Sequence, residues 1–259
     1  MKTLVMANQK GGVGKSAIGC QYAYFLHDLL QKRVLVIDLD HQANTSKAIR
    51  NSGMATVSAI TGSRVLTEKH TAVEDAEFVL VSADAELIKM EKQPDKHNNF
   101  ASNLHTFLKS VADKFDVCVI DTNPNPDIRM TAALVVAGFV LSPIQLNQEA
   151  LDGIGALRND VAKIKQAINP NLHLIGILPN LVESTPFQKA NFKQLSEHFG
   201  NLMIRLENGQ MAAIQTRTAV AEAQAAGKPI WKLGKTSARD AWVQIKPVFD
   251  KVTAVMGVA

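Results

Sequence analysis

The sequence predicts an α/β fold, a mostly parallel twisted sheet with helices on both faces. Three observations carry that expectation. Short β-branched runs alternate along the chain with segments of helical periodicity. The runs are apolar on both faces, as strands covered on both sides are. The first run passes through a glycine-rich turn directly into a helical pattern. With 259 residues and 46% hydrophobic content there is ample material for a packed core. No internal repeat or low-complexity linker divides the chain, so one domain over residues 1–259 is expected.

In chain order, the first strand is expected in "KTLVMAN" and a helix in "SAIGCQYAYFLHDLL", where Ile18, Tyr22, Phe25, Leu26 and Leu29 recur at helical spacing. "RVLVIDLD" follows as a strand and completes a βαβ unit. Further strands are expected in "FVLVSA", "DVCVIDT", "FVLSPIQL", "LIGILPN" and "LMIRL", with helices in "FASNLHTFLKSVADKF" and "ALDGIGALRNDVAKIKQAI". The polar "MEKQPDKHNN" reads as a solvated loop that ends in a helix cap at Asn98 or Asn99.

Composition narrows the function classes. "TLVMAN" is too short for a signal-peptide core. The apolar run "AALVVAGFVLSPI" falls short of the roughly 18 residues of a membrane helix and is punctuated by Gly138 and Pro143. A soluble, cytoplasmic protein is expected. Cys20 and Cys118 fall inside a helical and a strand pattern, where cysteine acts as a small buried hydrophobe, and no disulfide is implied. The net charge of +4 is mild, but its excess is carried by residues 184–246. There Lys189, Lys193, Arg205, Arg217, Lys228, Lys232, Lys235, Arg239 and Lys246 face only Glu197, Glu207, Glu222 and Asp240. That region is a candidate surface for a polyanion.

The chemistry-bearing stretch is "MANQKGGVGKSAI", residues 6–18. The phosphate loop pattern G-x-x-x-x-G-K-[ST] is met by Gly14, Lys15 and Ser16, yet its first glycine falls at Gln9, and Lys10 stands beside Gly11 and Gly12. A strand, a glycine turn and a helix start aim backbone N–H groups and the positive end of the helix dipole at one anion. Gly11, Gly12 and Gly14 permit tight turns and close approach, Lys15 reaches terminal phosphates, and the Ser16 hydroxyl can ligate Mg²⁺. Such a metal needs hard oxygen partners near strand ends. "VLVIDLD" supplies Asp38 and Asp40, and "DVCVIDT" supplies Asp121. Asp121 is the candidate on the metal side, Asp38 a support through water, and Asp40 the candidate to orient an attacking water.

"KGGVGKS", "VLVIDLDHQANTS", "FDVCVIDTNPNPD", "FVLSPIQLNQEALDGI" and "RTAVAEAQAAGKPIW", in that order, resemble the ParA family of deviant-Walker partition ATPases, which are P-loop NTPases. The resemblance runs from Lys2 to about Trp242 and is closest to short plasmid-type members without an N-terminal helix-turn-helix domain. It implies that Lys10 is a signature lysine reaching across a nucleotide-sandwich homodimer to the phosphates of the other subunit, as an arginine finger does. It also implies ATP binding by Gly11, Gly12, Val13, Gly14, Lys15, Ser16 and Ala17, Mg²⁺ at Ser16 and Asp121, and catalytic roles for Lys10, Lys15 and Asp40, beside the water-mediated metal support expected of Asp38. Asn180, in "LPN", either contacts adenine or caps its own turn.

Three positions depart from the family pattern. Ala17 stands where a hydroxyl is common, His41 replaces the proline of D-x-D-P-Q, and Gly138 occupies a usual aspartate position. His41 is either a solvated loop residue or a catalytic group. The resemblance further implies that ATP-bound dimers bind nonspecific DNA on the nucleoid and are released when a ParB-type centromere-binding protein stimulates hydrolysis. Arg217, within R-x-A-x-x-E-A, and Lys232, Lys235 and Arg239, within "WKLGKTSARD", are the candidate DNA contacts. Trp231 and Trp242 are expected to pack. The end of the chain, "AWVQIKPVFDKVTAVMGVA", is interrupted by Pro247 and carries only Lys246 and Lys251 as bases, so a docked helix is expected rather than the membrane anchor of MinD relatives. The alternative function is a nucleotide switch that positions a protein or membrane cargo.

Overall fold

A computed structural model describes residues 1–92, 97–125, 127–147 and 150–258. Its strands are β1 (Lys2–Met6), β2 (Val34–Asp38), β3 (Thr56–Thr61), β4 (Phe78–Ser82), β5 (Val117–Asp121), β6 (Phe139–Ile144) and β7 (His173–Pro179). All pair in parallel in one seven-stranded sheet of order β3-β4-β2-β5-β1-β6-β7. Parallel neighbours require crossovers, which the helices provide. These are α1 (Lys15–Tyr24), α2 (Asn44–Ser52), α3 (Gly62–Thr67), α4 (His97–Ser110), α5 (Ile128–Val136), α6 (Ala150–Ala167), α7 (Pro186–Phe199), α8 (Thr218–Ala226) and α9 (Thr236–Met256).

The period of two along each strand divides the core between the faces of the sheet. Leu4, Met6, Val34, Val36, Val117 and Val119 point to one side, against α1, α2, α8 and α9. Val5, Leu35, Ile37, Cys118 and Ile120 point to the other, against α3, α4, α5 and α6. Every residue of β2 and β5 is buried, which is why both read as unbroken apolar runs. Both cysteines are free and buried.

Some expectations are corrected. "LMIRL" is not a strand of the sheet, because beyond the β7 edge it forms only isolated bridges, Ile177 with Met203 and Arg205 with Met211. β3 replaces it at the opposite edge, in a polar segment without strand patterning. The expected first helix continues past α1 as a π turn over Phe25–Leu29. The loop expected over "MEKQPDKHNN" lies in part outside the described residues, while Ala85–Lys92 forms a 3₁₀ stretch and α4 starts at His97, ahead of Asn98 and Asn99. The terminal helix docks as expected, burying Ile245, Val248, Phe249, Val252 and Met256. Trp231 and Trp242 pack with ring centroids 4.5 Å apart. Among the described residues no helix is long and apolar enough to cross a membrane.

Candidate nucleotide site

The strand order places β1 beside β5, and β5 beside β2, so three candidate segments meet at the carboxyl ends of the central strands. Met6 is level with Asp121, and Asp121 with Asp38. Beyond Met6 the chain turns into α1 through glycines that take left-handed backbone, with φ 74° at Gly12 and 87° at Gly14. Side chains strap this loop down. Asn8 donates Nδ2 to Pro143 O at 2.7 Å and accepts from the Lys10 N–H at 2.8 Å. Gln9, where the usual glycine is missing, donates Nε2 to Asp160 Oδ2 on α6 at 2.9 Å.

Gly14 has a second reason to be glycine. A Cβ there would lie 2.2 Å from Asn180 Nδ2, which donates to Val13 O at 2.9 Å. Asn180 is therefore a buried brace behind the loop, with its amide nitrogen engaged by the main chain. Gly14→Ala should cost about 2 kcal/mol of stability through left-handed strain and this clash. Chemical denaturation measures it, and an unchanged midpoint would mean that Asn180 yields freely.

Lys15 lies inside the loop, 6% exposed, and donates Nζ to Lys10 O at 3.0 Å. Burial pulls its pKa below the usual lysine value, against the opposing charges of Asp121 and Asp40. The carboxylates form an interlocked set. Asp38 accepts the Asp40 N–H at Oδ1 (3.0 Å), and both the N–H and the hydroxyl of Ser46 at Oδ2 (2.8 and 2.7 Å). Both of its oxygens thus brace the turn that carries Asp40. Burial, followed by repulsion from Asp121, raises its pKa to about 7. Asp121 accepts the Thr45 hydroxyl at Oδ2 at 2.7 Å. Burial raises its pKa too, opposed by the hydroxyls of Ser16 and Thr45 and the charge of Lys15.

These residues fit a Mg²⁺-nucleotide. Asp121 Oδ1 is buried with no hydrogen-bond partner, an acceptor that a cation would satisfy. Among the described residues no group of three His, Cys, Asp or Glu could hold a metal unaided. That suits Mg²⁺, which takes one or two protein oxygens and completes its shell with phosphates and water. A cleft of ≈ 550 Å³ opens over residues 11–17 and Asp40, walled by Pro124, by Lys47 and Asn51 of α2, and by Gln224 of α8. Asn180 is not among its lining residues. Thr45, Ser46 and Asp160 were missed in the sequence. Only the hydroxyl pair following the D-x-D turn offered a local signal.

The basic candidates are less uniform than their count suggested. Lys232 pairs with Asp28 and Lys235 with Glu222. Arg217 donates Nη2 to Gln215 at 2.7 Å, while Arg239 is exposed on α9. Surface pairs of this kind are worth little and exchange readily with other anions.

A family profile described as an AAA domain matches residues 1–174. The chain is 32% identical to the protein IncC of Escherichia coli, over 100% of this chain and 71% of that protein. It is 28% identical to the chromosome partitioning protein ParA of Myxococcus xanthus, over 71% of this chain and 66% of that one. Among solved structures, apo McdA of Cyanothece superposes with TM-score 0.79 at 19% identity, covering 97% of this chain and 99% of that chain, a likeness of fold alone. The phosphate loop, the strand-end acids and these matches together place the chain: it belongs to the ParA-like P-loop NTPases, the family of the IncC and ParA partition proteins.

Proposed function

We propose that the chain is a single-domain, ATP-dependent DNA partition ATPase. Its Mg²⁺·ATP-bound homodimer binds nonspecific DNA on the nucleoid and is released by hydrolysis that a ParB-type protein stimulates. The observation that carries the reading is the convergence of the 11–16 loop with Asp38, Asp40 and Asp121 at the carboxyl ends of the central strands, where Asp121 retains an unsatisfied buried oxygen. When bound, Mg²⁺·ATP supplies the transferable phosphoryl group and a cation that neutralises charge on its oxygens. Lys15 and the N–H groups of residues 11–17 hold the phosphates, Ser16 and Asp121 hold the metal, and Asp38 fixes the turn of Asp40. Asp40 accepts a hydrogen bond from water and so orients it. Lys10 acts on the partner subunit's phosphates.

The test is salt-dependent binding to nonspecific duplex DNA with ATP, ADP or no nucleotide, read beside the oligomeric state. Binding should appear only with ATP and together with a dimer. Replacing Arg217 and Arg239 by alanine should lower log K and reduce the slope of log K against log salt by about 2, one for each phosphate no longer neutralised. Unchanged DNA affinity removes both residues from the interface. The pairing of Lys232 and Lys235 with acids favours a second reading, a switch that positions a protein cargo. ATP-dependent dimers that bind no DNA would select it.

A further inference from the structure

His41 follows Asp40, and its imidazole is approached from three sides. Arg129 Nη1 lies 3.4 Å from Nδ1, Asp40 Oδ1 lies 3.6 Å from the same nitrogen, and Gln42 Nε2 lies 3.0 Å from Nε2. Arg129, on α5, is the unusual member. Its side chain is only 2% exposed, and desolvating a guanidinium is costly. Its Nε donates to Asp127 Oδ2 at 2.9 Å and its Nη2 to the same oxygen. Asp127 is fixed in turn, accepting from Asn123 Nδ2 at 2.7 Å and capping α5 through the Arg129 N–H at 2.8 Å. The guanidinium is therefore held rigidly from behind and presents Nη1 to the ring.

We propose that Arg129, anchored on Asp127, is a positioning residue that clamps His41 and through it holds the turn that carries Asp40. The inference rests on the reading of Asp40 as the group that orients water for hydrolysis. Nδ1 stands between a group that only donates and one that only accepts. Unprotonated, it accepts from Arg129, and the Nε2–H then faces the Gln42 side-chain amide; Asp40 Oδ1, at 3.6 Å, lies beyond hydrogen-bond reach and accepts the Gln42 N–H at 3.0 Å instead. The ring is thus held at Nδ1 by Arg129, and the turn after β2 has a side-chain clamp. The turn also has independent constraints, since Asp40 N is bound to Asp38, Ala43 N to Asp40 O, and Gln42 N to the Asp40 carboxylate. Phosphate binding is assigned to residues 11–17, which are not part of the clamp.

The experiment is steady-state hydrolysis of Mg²⁺·ATP by the full chain with sheared duplex DNA, with kcat and KM measured separately. His41→Ala and Arg129→Lys should each lower kcat about tenfold and leave KM within about twofold, because a misplaced orienting group slows the step without weakening binding. Lysine keeps the charge beside Asp127 but lacks the fork that reaches Nδ1. His41→Pro should retain most of kcat, since the proline ring stiffens the turn by another route and no described acceptor takes the His41 N–H. In that background Arg129→Lys should have no further effect. An equal loss in both backgrounds makes Arg129 merely structural and overturns the proposal, as does wild-type kcat in His41→Ala. The ¹⁵N imidazole signal of His41, assigned by difference from His41→Ala, should change in Arg129→Lys; an unchanged signal also overturns the clamp. A responsive signal in a wild-type chain that hydrolyses no ATP instead overturns the ATPase reading, and with it the use assigned to the clamp.

Discussion

Lys15→Ala should weaken Mg²⁺·ATP binding by about a hundredfold or more, whereas Lys10→Ala should leave binding to the monomer within about threefold and abolish the ATP-dependent dimer. The asymmetry follows from where the two lysines sit. Lys15 is buried among the loop carbonyls and depressed in pKa by that burial. A charge kept there at a desolvation cost recovers it by meeting phosphate, and removing one partner of such a buried pair costs about 3–5 kcal/mol. Lys10 is half-buried on the outer turn of the loop, and its main chain, bound to Asn8 and Lys15, stays in place when the side chain is cut back. Titration calorimetry at sub-dimerising concentration, followed by sedimentation with ATP, separates the two roles. Equal loss of nucleotide affinity in both variants would show that Lys10 acts on its own subunit's nucleotide rather than on its partner's.

The parts of this site that were legible in the sequence are those set by local pattern. The glycine turn, the G-K-S triplet and the acids at the ends of "VLVID" and "DVCVID" are read within a few residues, and six strands show as apolar runs because the sheet is covered on both faces. β3 escaped for the converse reason: it is an edge strand, half of whose residues are polar hydroxyls. α2 escaped because "NTSKAIRNS" is short and mostly polar, with Ala48 and Ile49 its only apolar residues, while Thr45 and Ser46 are buried by hydrogen bonds to carboxylates. Partnerships across the fold were invisible. Thr45 and Asp121 are 76 residues apart, Gln9 and Asp160 151, and Lys232 and Asp28 204. The last case shows why a charge count misleads, since a lysine reads as free until the fold supplies its acid.

Asp121→Asn should make the ligand-free protein more stable at pH 8, by about 1–2 kcal/mol, while removing the extra stabilisation that Mg²⁺ gives to the ATP complex. In the native chain two carboxylates lie level on adjacent buried strands, and burial raises both pKa values, that of Asp38 to about 7. An unfolded aspartate ionises near its ordinary value of 3.8. Between these limits the native state holds more protons than the unfolded one, so stability falls as pH rises from about 4 to about 7. The asparagine variant removes one of the two groups and flattens that slope. It also deprives Lys15 of a counter-charge, which offsets part of the gain. The gap between variant and wild type should therefore be a few °C in Tm at pH 8 and close near pH 4.5, where the carboxyls are protonated in the fold. At a hundredfold excess over Kd, a ligand adds about 2.7 kcal/mol to the wild type, and the Mg²⁺-dependent share of it should vanish in the variant. A variant less stable than the wild type at pH 8 without ligand would mean that the Thr45 and Lys15 contacts outweigh the buried charge, and that Asp121 is retained for the fold rather than for the metal.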